Sequence, residues 1–148
     1  MFRFLEGVKV VEIGHILMAP YATQFLGDLG ADVIKVESLD GDYYRQLGLG
    51  KKKGVTAQWM TVNRNKRSIS LDLKSAEGRE VLNDLLRQAD IVVHNMRVKA
   101  IERLGFGYDA VKAVNPGLVY CAAIGFGQDG PYADFPAFDD IIQAYSGL

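Results

Sequence analysis

Residues Val8–Glu37 read VKVVEIGHILMAPYATQFLGDLGADVIKVE. Val8–Ile13 is an apolar, β-branched run and predicts a buried strand. Gly14–Ala19 is an irregular turn that carries His15. Pro20 opens a helix, where its fixed φ fits and its missing N–H costs nothing. Tyr21, Ala22, Phe25, Leu26 and Leu29 fall on one face of that helix. Gly30 closes it, and Val33–Glu37 is a second buried strand. The order is a βαβ unit, whose first turn lies at the carboxyl end of a parallel strand, where open α/β sheets bind ligands.

The rest of the chain extends this pattern. Ser38–Gly54 holds Gly41, Gly48, Gly50 and Gly54 with the run Lys51–Lys53, and reads as a long mobile loop. Gln58–Val62 is a short helical piece, and Asn63–Arg67 a polar, basic turn. Ser68–Leu73 alternates as a strand. Ser75 is a good N-cap with Glu77 in the first turn, and the helix that follows has Val81, Leu82, Leu85 and Leu86 to bury. Ile91–Val93 is a third core strand ending at His94 and Asn95. Val98–Leu104 and Tyr108–Val114 are short helices, stopped by Gly105 and by Asn115-Pro116-Gly117. Leu118–Ile124 is a further strand, Asp129-Gly130-Pro131 a turn, and Phe138–Tyr145 a last helix. This alternation predicts an α/β fold with a Rossmann-like, mostly parallel sheet flanked by helices. The stop at Ser146-Gly147-Leu148, just as a helix finishes, suggests a fragment of a longer chain.

Composition bounds the function. The chain has 148 residues, 49% hydrophobic and 24% charged, with a net charge of −1. That is one ordinary globular domain, with no general basic surface for nucleic acid or membrane. The single cysteine, Cys121, sits in an apolar run, which predicts a packing role in a reducing compartment. His15 and His94 have no metal-ligand spacing. No apolar run has transmembrane length, and the start, MFRFLEGVKV, lacks a signal-peptide core. The expectation is a cytoplasmic enzyme.

Individual residues leave more than one reading open. The Gly14–Pro20 turn lacks Gly-x-Gly-x-x-Gly, so a nicotinamide site is not expected. The turn either presents N–H groups to a phosphate or thioester oxygen or is a plain βα connection. A lone histidine such as His15 is more often a structural hydrogen-bonder than a functional group. Lys51–Lys53 either reach a nucleotide phosphate or lie on a solvated loop, and Arg64, Lys66 and Arg67 either meet a 3′-phosphate or cap nearby helices. Asn95 and Arg103 lie on the presumed ligand side. Asp139 and Asp140 fit helix-dipole stabilisation. Gly125-Phe126-Gly127 either admits a ligand to the backbone or turns the chain, and Trp59 reads as packing. Spacing alone stops at an α/β ligand-binding domain.

Several blocks in one order add to this. They are LEGVKVVEIGHILMAPYATQFLGDLGADVIKVES (5–38), GDYYR (41–45), NRNKRSISLDLKSAEGREVLNDLLRQADIVVHN (63–95), AIERLGFGYDAVKAVNPGLVYCAAIGFGQDGPY (100–132) and PAFDDIIQAYSGL (136–148). Together they resemble the N-terminal part of the class III coenzyme A transferases, a group with formyl-CoA transferases, carnitine CoA-transferases and the related α-methylacyl-CoA racemases. The resemblance implies a CoA-binding segment of a large domain, an interlocked homodimer, and CoA or acyl-CoA as substrate with no permanently bound cofactor. It places Leu17 and Met18 on the CoA, and Leu71, Asp72, Leu73 and Lys74 along adenine and ribose. Asn95, Met96 and Arg97 fall by pantetheine and phosphate, Arg103 on a phosphate, and Pro136, Ala137, Phe138 and Asp139 near the thioester.

The resemblance also implies double displacement between an acyl-CoA and a carboxylic acid. An aspartate attacks the thioester, and CoA thiolate then gives an aspartyl-CoA thioester. That aspartate is expected beyond Leu148, so no catalytic residue is assigned here. Two positions depart from the family. Ser38 stands where an arginine often meets the nucleotide. Phe138 stands where the racemases carry a histidine base, which favours transferase over racemase. A non-catalytic CoA- or nucleotide-binding module is the reading from another class.

Overall fold

Glu12 and Lys35, each the one charge inside an apolar run, are neighbours across the central strands. A computed structural model describes residues 3–147; Leu148, beyond which the nucleophile is expected, and Met1 and Phe2 of the N-terminal run lie outside them. The strands are β1 (Lys9–Ile13), β2 (Asp32–Glu37), β3 (Lys66–Ser70), β4 (Ile91–His94) and β5 (Val119–Ala122). Between and after them run α1 (Met18–Asp28), α2 (Ala57–Asn63), α3 (Ala76–Gln88), α4 (Val98–Arg103), α5 (Tyr108–Val114) and α6 (Asp139–Ser146). All pairings are parallel, in the order β3-β2-β1-β4-β5. The sheet grows to one side of β1 and then to the other, which is the arrangement that opens a crevice at the strands' carboxyl ends.

Strand alternation divides the core. Val11, Ile13, Val36 and Val92 meet Leu82, Leu86, Ile101, Phe106 and Val111 on one face. Val10, Val33 and Val93 meet Ala19 and Ala31 on the other. Helix α1 ends in a Schellman motif: Ala31 N–H donates to Leu26 C=O at 3.0 Å and Gly30 N–H to Gly27 C=O at 3.0 Å. Gly30 sits at φ 104°, which explains a glycine there. Helix α3 starts where expected, with Ser75 Oγ accepting from Gly78 N–H at 2.9 Å.

Four local readings change. The apolar face of α1 is not its buried face: Ala19, Pro20, Thr23 and Gln24 are buried, while Tyr21, Phe25 and Leu29 are exposed. The small residues let the helix lie close to the sheet, and Thr23 donates to the buried Glu12 carboxylate. Strand β3 begins at Lys66, inside the expected turn, and ends at Ser70, because the Asp72 carboxylate accepts from Lys74 N–H and turns the chain. Ser38–Gly54 is folded onto the body rather than left free: Arg45 donates to both Glu37 oxygens at 2.6 Å, reaches Gly54 C=O and stacks on Trp59. Cys121 is exposed, since β5 is an edge strand with its outward face uncovered.

Beyond β5 the chain is mostly exposed. Phe126, Tyr132, Phe135 and Tyr145 form a ring cluster among themselves, and α6 has no buried residue. Among the described residues no helix is long and apolar enough to cross a membrane.

The burial pattern separates neighbours in α3. Leu82 is fully buried, whereas Val81 is 39% exposed. Leu82→Ala should cost about 2–5 kcal/mol of stability and Val81→Ala under about 1 kcal/mol, read from urea midpoints. Equal losses would mean that α3 turns a different face to the sheet.

Candidate functional site

The first βα turn is fastened from below by a buried charge cluster. The Glu12 carboxylate, fully buried, accepts from Lys35 Nζ at 2.6 Å, Lys66 Nζ at 2.7 Å and Thr23 Oγ1 at 2.6 Å. Lys35 also donates to Gly14 C=O at 2.9 Å and lies 2.8 Å from Asp42 Oδ2. Lys66 also donates to Pro20 C=O and Asn63 Oδ1. Burial pushes the Lys66 ammonium down to about 8, against the pull of Glu12.

From above, side chains fix the same turn. Asn95 spans His15, accepting from its N–H at 3.1 Å and donating to its C=O at 2.9 Å. Asp42 Oδ1 accepts from Ile16 N–H at 3.1 Å and from Tyr44 N–H at 2.9 Å. Ile16 is held at φ 68°, an uncommon backbone for a β-branched residue, which these clamps sustain. Gly14 is needed for space: a Cβ there would lie 2.7 Å from both Ala19 Cβ and Asn95 Oδ1. Leu17 supplies no side-chain cap to α1, so that helix begins with open N–H groups.

Two hollows meet the strand tips. The first, of about 360 Å³, has an apolar floor that includes Ile13, Leu71, Leu73, Met96 and Leu104, with His15, Ser38, Asp40 and Lys74 among its polar lining. The second, of about 330 Å³, is lined by Arg97, Lys99, Ala100, Arg103 and Asp134. Helix α4 separates them: Met96 and Leu104 face the first, Arg97 and Arg103 the second. Lys99 is paired with Asp134, while Arg97 and Arg103 form no ion pair among the described residues. That leaves two guanidinium groups for an anionic ligand.

The sequence-derived candidates divide accordingly. Leu71, Asp72, Leu73, Lys74 and Met96 line the first hollow and Arg97 and Arg103 the second. Asn95 lies between them with its amide on His15. Leu17 and Met18 stand about half exposed on the turn, lining neither hollow. Pro136, Ala137, Phe138 and Asp139 are exposed and line neither as well, although Asp134 of the same stretch borders the second. Asp139 accepts from Gln143 at 2.6 Å at the start of α6. The basic cluster before β3 is dispersed: Arg64 binds Asp28, Arg67 binds Asp32, and Lys66 is buried. The Lys35–Glu12–Lys66–Asp42 cluster was not foreseen. Its signal is a lone charge in each of the runs VVEI and VIKV.

Glu37, at the tip of β2, is fully engaged. Burial alone would raise its carboxyl, but Arg45, Ser68 Oγ and Asp42 N–H hold it at about 2. A carboxylate so occupied has no free oxygen for a ribose diol, which agrees with the missing dinucleotide glycines. His94, buried at the tip of β4 with Tyr120 edge-on at 5.2 Å, is pushed down by burial. Among the described residues no group of three or more His, Cys, Asp or Glu could hold a metal.

Comparison with known proteins gives one consistent relationship. The model of CoA-transferase family III matches residues 5–148. The succinate–glutarate CoA-transferase of Agrobacterium fabrum is 41% identical, over 97% of this chain and 38% of its own length. A formyl-CoA:oxalate CoA-transferase of Streptomyces avermitilis is 42% identical, over 99% of this chain and 36% of its own. The crystal structure of a CAIB/BAIF family protein from Brucella suis superposes with a TM-score of 0.94 at 42% identity, over all of this chain and 40% of that one. The chain thus spans a little over a third of the length of these relatives.

Two variants test the frame of the site. Glu12→Gln should cost about 3–5 kcal/mol, since it leaves the buried Lys66 ammonium with no carboxylate and Lys35 with Asp42 alone; a loss under about 1 kcal/mol in urea unfolding would mean the cluster is dispensable. Glu37 contributes stability that is fully present above its ordinary 4.5 and is lost as pH falls through about 2. Glu37→Gln should therefore lose stability at neutral pH and show a flatter fall in stability than wild type across that acid range. Parallel curves would show that the Arg45 fork contributes nothing through this titration.

Proposed function

Because the chain belongs to CoA-transferase family III, we propose that it is the N-terminal, CoA-binding part of an acyl-CoA:carboxylate CoA-transferase. The observation that carries this reading is the pairing of two hollows at the strand tips. An apolar-floored cleft suits an adenine, and the arginine-lined groove beside it suits phosphates. The Gly14–Met18 turn sits at the β1 tip, where the pantetheine arm would leave toward the thioester. Asn95 then acts on the ligand through the turn it holds, and Leu17 and Met18 offer apolar contact to the arm. Pro136–Asp139 would reach the thioester end once the remaining length of the protein closes the site.

The chemistry needs a carboxylate nucleophile beside donors for the developing oxyanions. We assign that nucleophile to an aspartate outside these 148 residues, and give neither Asp139 nor Asp140 that role. CoA moves between two carboxylic acids: the aspartate displaces thiolate to form an anhydride, thiolate returns to release the first acid, and the second acid reverses both steps. Phe138 supplies no imidazole for α-proton exchange, which disfavours a racemase. An interlocked homodimer in the cytoplasm is part of the same reading.

Arg103 provides the test. In the full-length protein, Arg103→Ala should weaken CoA binding by about 1.5–3 kcal/mol, the loss of a charged hydrogen bond to phosphate. Isothermal calorimetry reads it directly, and unchanged affinity would remove the α4 groove from the site. CoA binding without turnover of any acyl-CoA and acid pair would favour a non-catalytic binding module.

A further inference from the structure

The Gly14–Ala19 turn spends its central main-chain groups on the protein itself. Asn95 takes both the N–H and the C=O of His15, Asp42 takes the N–H of Ile16, and Lys35 takes the C=O of Gly14. In phosphate-binding βα turns those N–H groups are what the ligand meets. Here a ligand at this point of the turn meets side chains. In the run Gly-His-Ile-Leu-Met-Ala, His15 carries the one polar side chain. Its imidazole is exposed, lines the first cleft, and has no hydrogen-bond partner among the described residues. A residue whose backbone is gripped at both ends while its side chain stays open is preorganised for contact, because little freedom remains to be lost on binding.

We propose that His15 is a ligand-binding residue, its imidazole donating a hydrogen bond to an anionic oxygen of the bound CoA. This rests on the cleft being the CoA site. Around His15 the charges are matched or sparse. Lys35 lies beneath Gly14 and is countered by Glu12 and Asp42. Glu37 is neutralised by Arg45. Asp40, Asp72 and Lys74 line the same cleft and form no ion pair among the described residues. No carboxylate among them pairs with the imidazole, so its ring N–H stays open to a ligand.

The test compares CoA affinity of the full-length wild type and His15→Gln by calorimetry. The variant should bind about 3–10-fold more weakly, with an unchanged melting temperature. Equal affinities would overturn the assignment. So would a melting temperature lowered in step with affinity, which marks a structural role. Absence of CoA binding by wild type would instead overturn the reading of the cleft, and this inference with it.

Discussion

The Glu12 carboxylate is the constraint on which the rest depends. It is fully buried, and two ammonium groups from neighbouring strands converge on it. Buried charges survive only when paired and hydrogen-bonded, so Glu12, Lys35 and Lys66 fix one another's positions. Register follows from this. Lys35 lies opposite Glu12 across the β1–β2 pair, and Lys66 arrives from β3 next door. A slip of one residue would turn each charge to the opposite face, into the apolar layer formed by Val11, Ile13 and Val36.

The same lysines carry that constraint out to the strand tips. Lys35 takes the last carbonyl before the turn and meets Asp42 from the segment after β2, and Lys66 takes the Pro20 carbonyl in the first turn of α1. Asp42 then holds Ile16, and Asn95 holds His15 from β4. Segments far apart in sequence, at the tips of β1, β2 and β4, are thereby one rigid rim around the cleft. A strained Ile16 and a glycine with no room for a Cβ are the local costs of that arrangement.

Much of the fold was legible because hydrophobic period and punctuation agree. The βαβ opening, Gly30 as the stop of α1, Ser75 as the cap of α3 and the parallel order all follow from short-range signals. What escaped was set by long-range polar pairing. Apolar period alone does not show the buried face of α1, because Thr23 serves the buried Glu12 carboxylate while Tyr21 and Phe25 stay outside. The start of β3 is hidden because Lys66 and Arg67 have the composition of a turn and their partners Glu12 and Asp32 lie far off in sequence. For the site, Leu71–Lys74, Met96, Arg97 and Arg103 fall on the two hollows; the presumed ligand side marks Arg103, and the family resemblance alone brings in Leu71–Lys74, Met96 and Arg97. The part played by Asn95 as a clamp could not be read, since its partner is 80 residues away. The exposure of Pro136–Asp139 and of the aromatic cluster follows from how little of the sheet lies under that stretch, in a chain whose relatives are more than twice as long.

Charge accounting across the molecule points back to the tips. The acids of the strands and of α1 are met by nearby bases: Glu12 by Lys35 and Lys66, Asp28 by Arg64, Asp32 by Arg67, Glu37 by Arg45. Among the described residues, the bases left without an acid at the ligand side are Lys74 on the first hollow and Arg97 and Arg103 on the second, with the open imidazole of His15 beside them. With a net charge of −1 the protein has no global attraction for anions. Under the proposed function, recognition of a phosphorylated ligand is therefore local, and it falls to those groups that the fold has held in place and not paired.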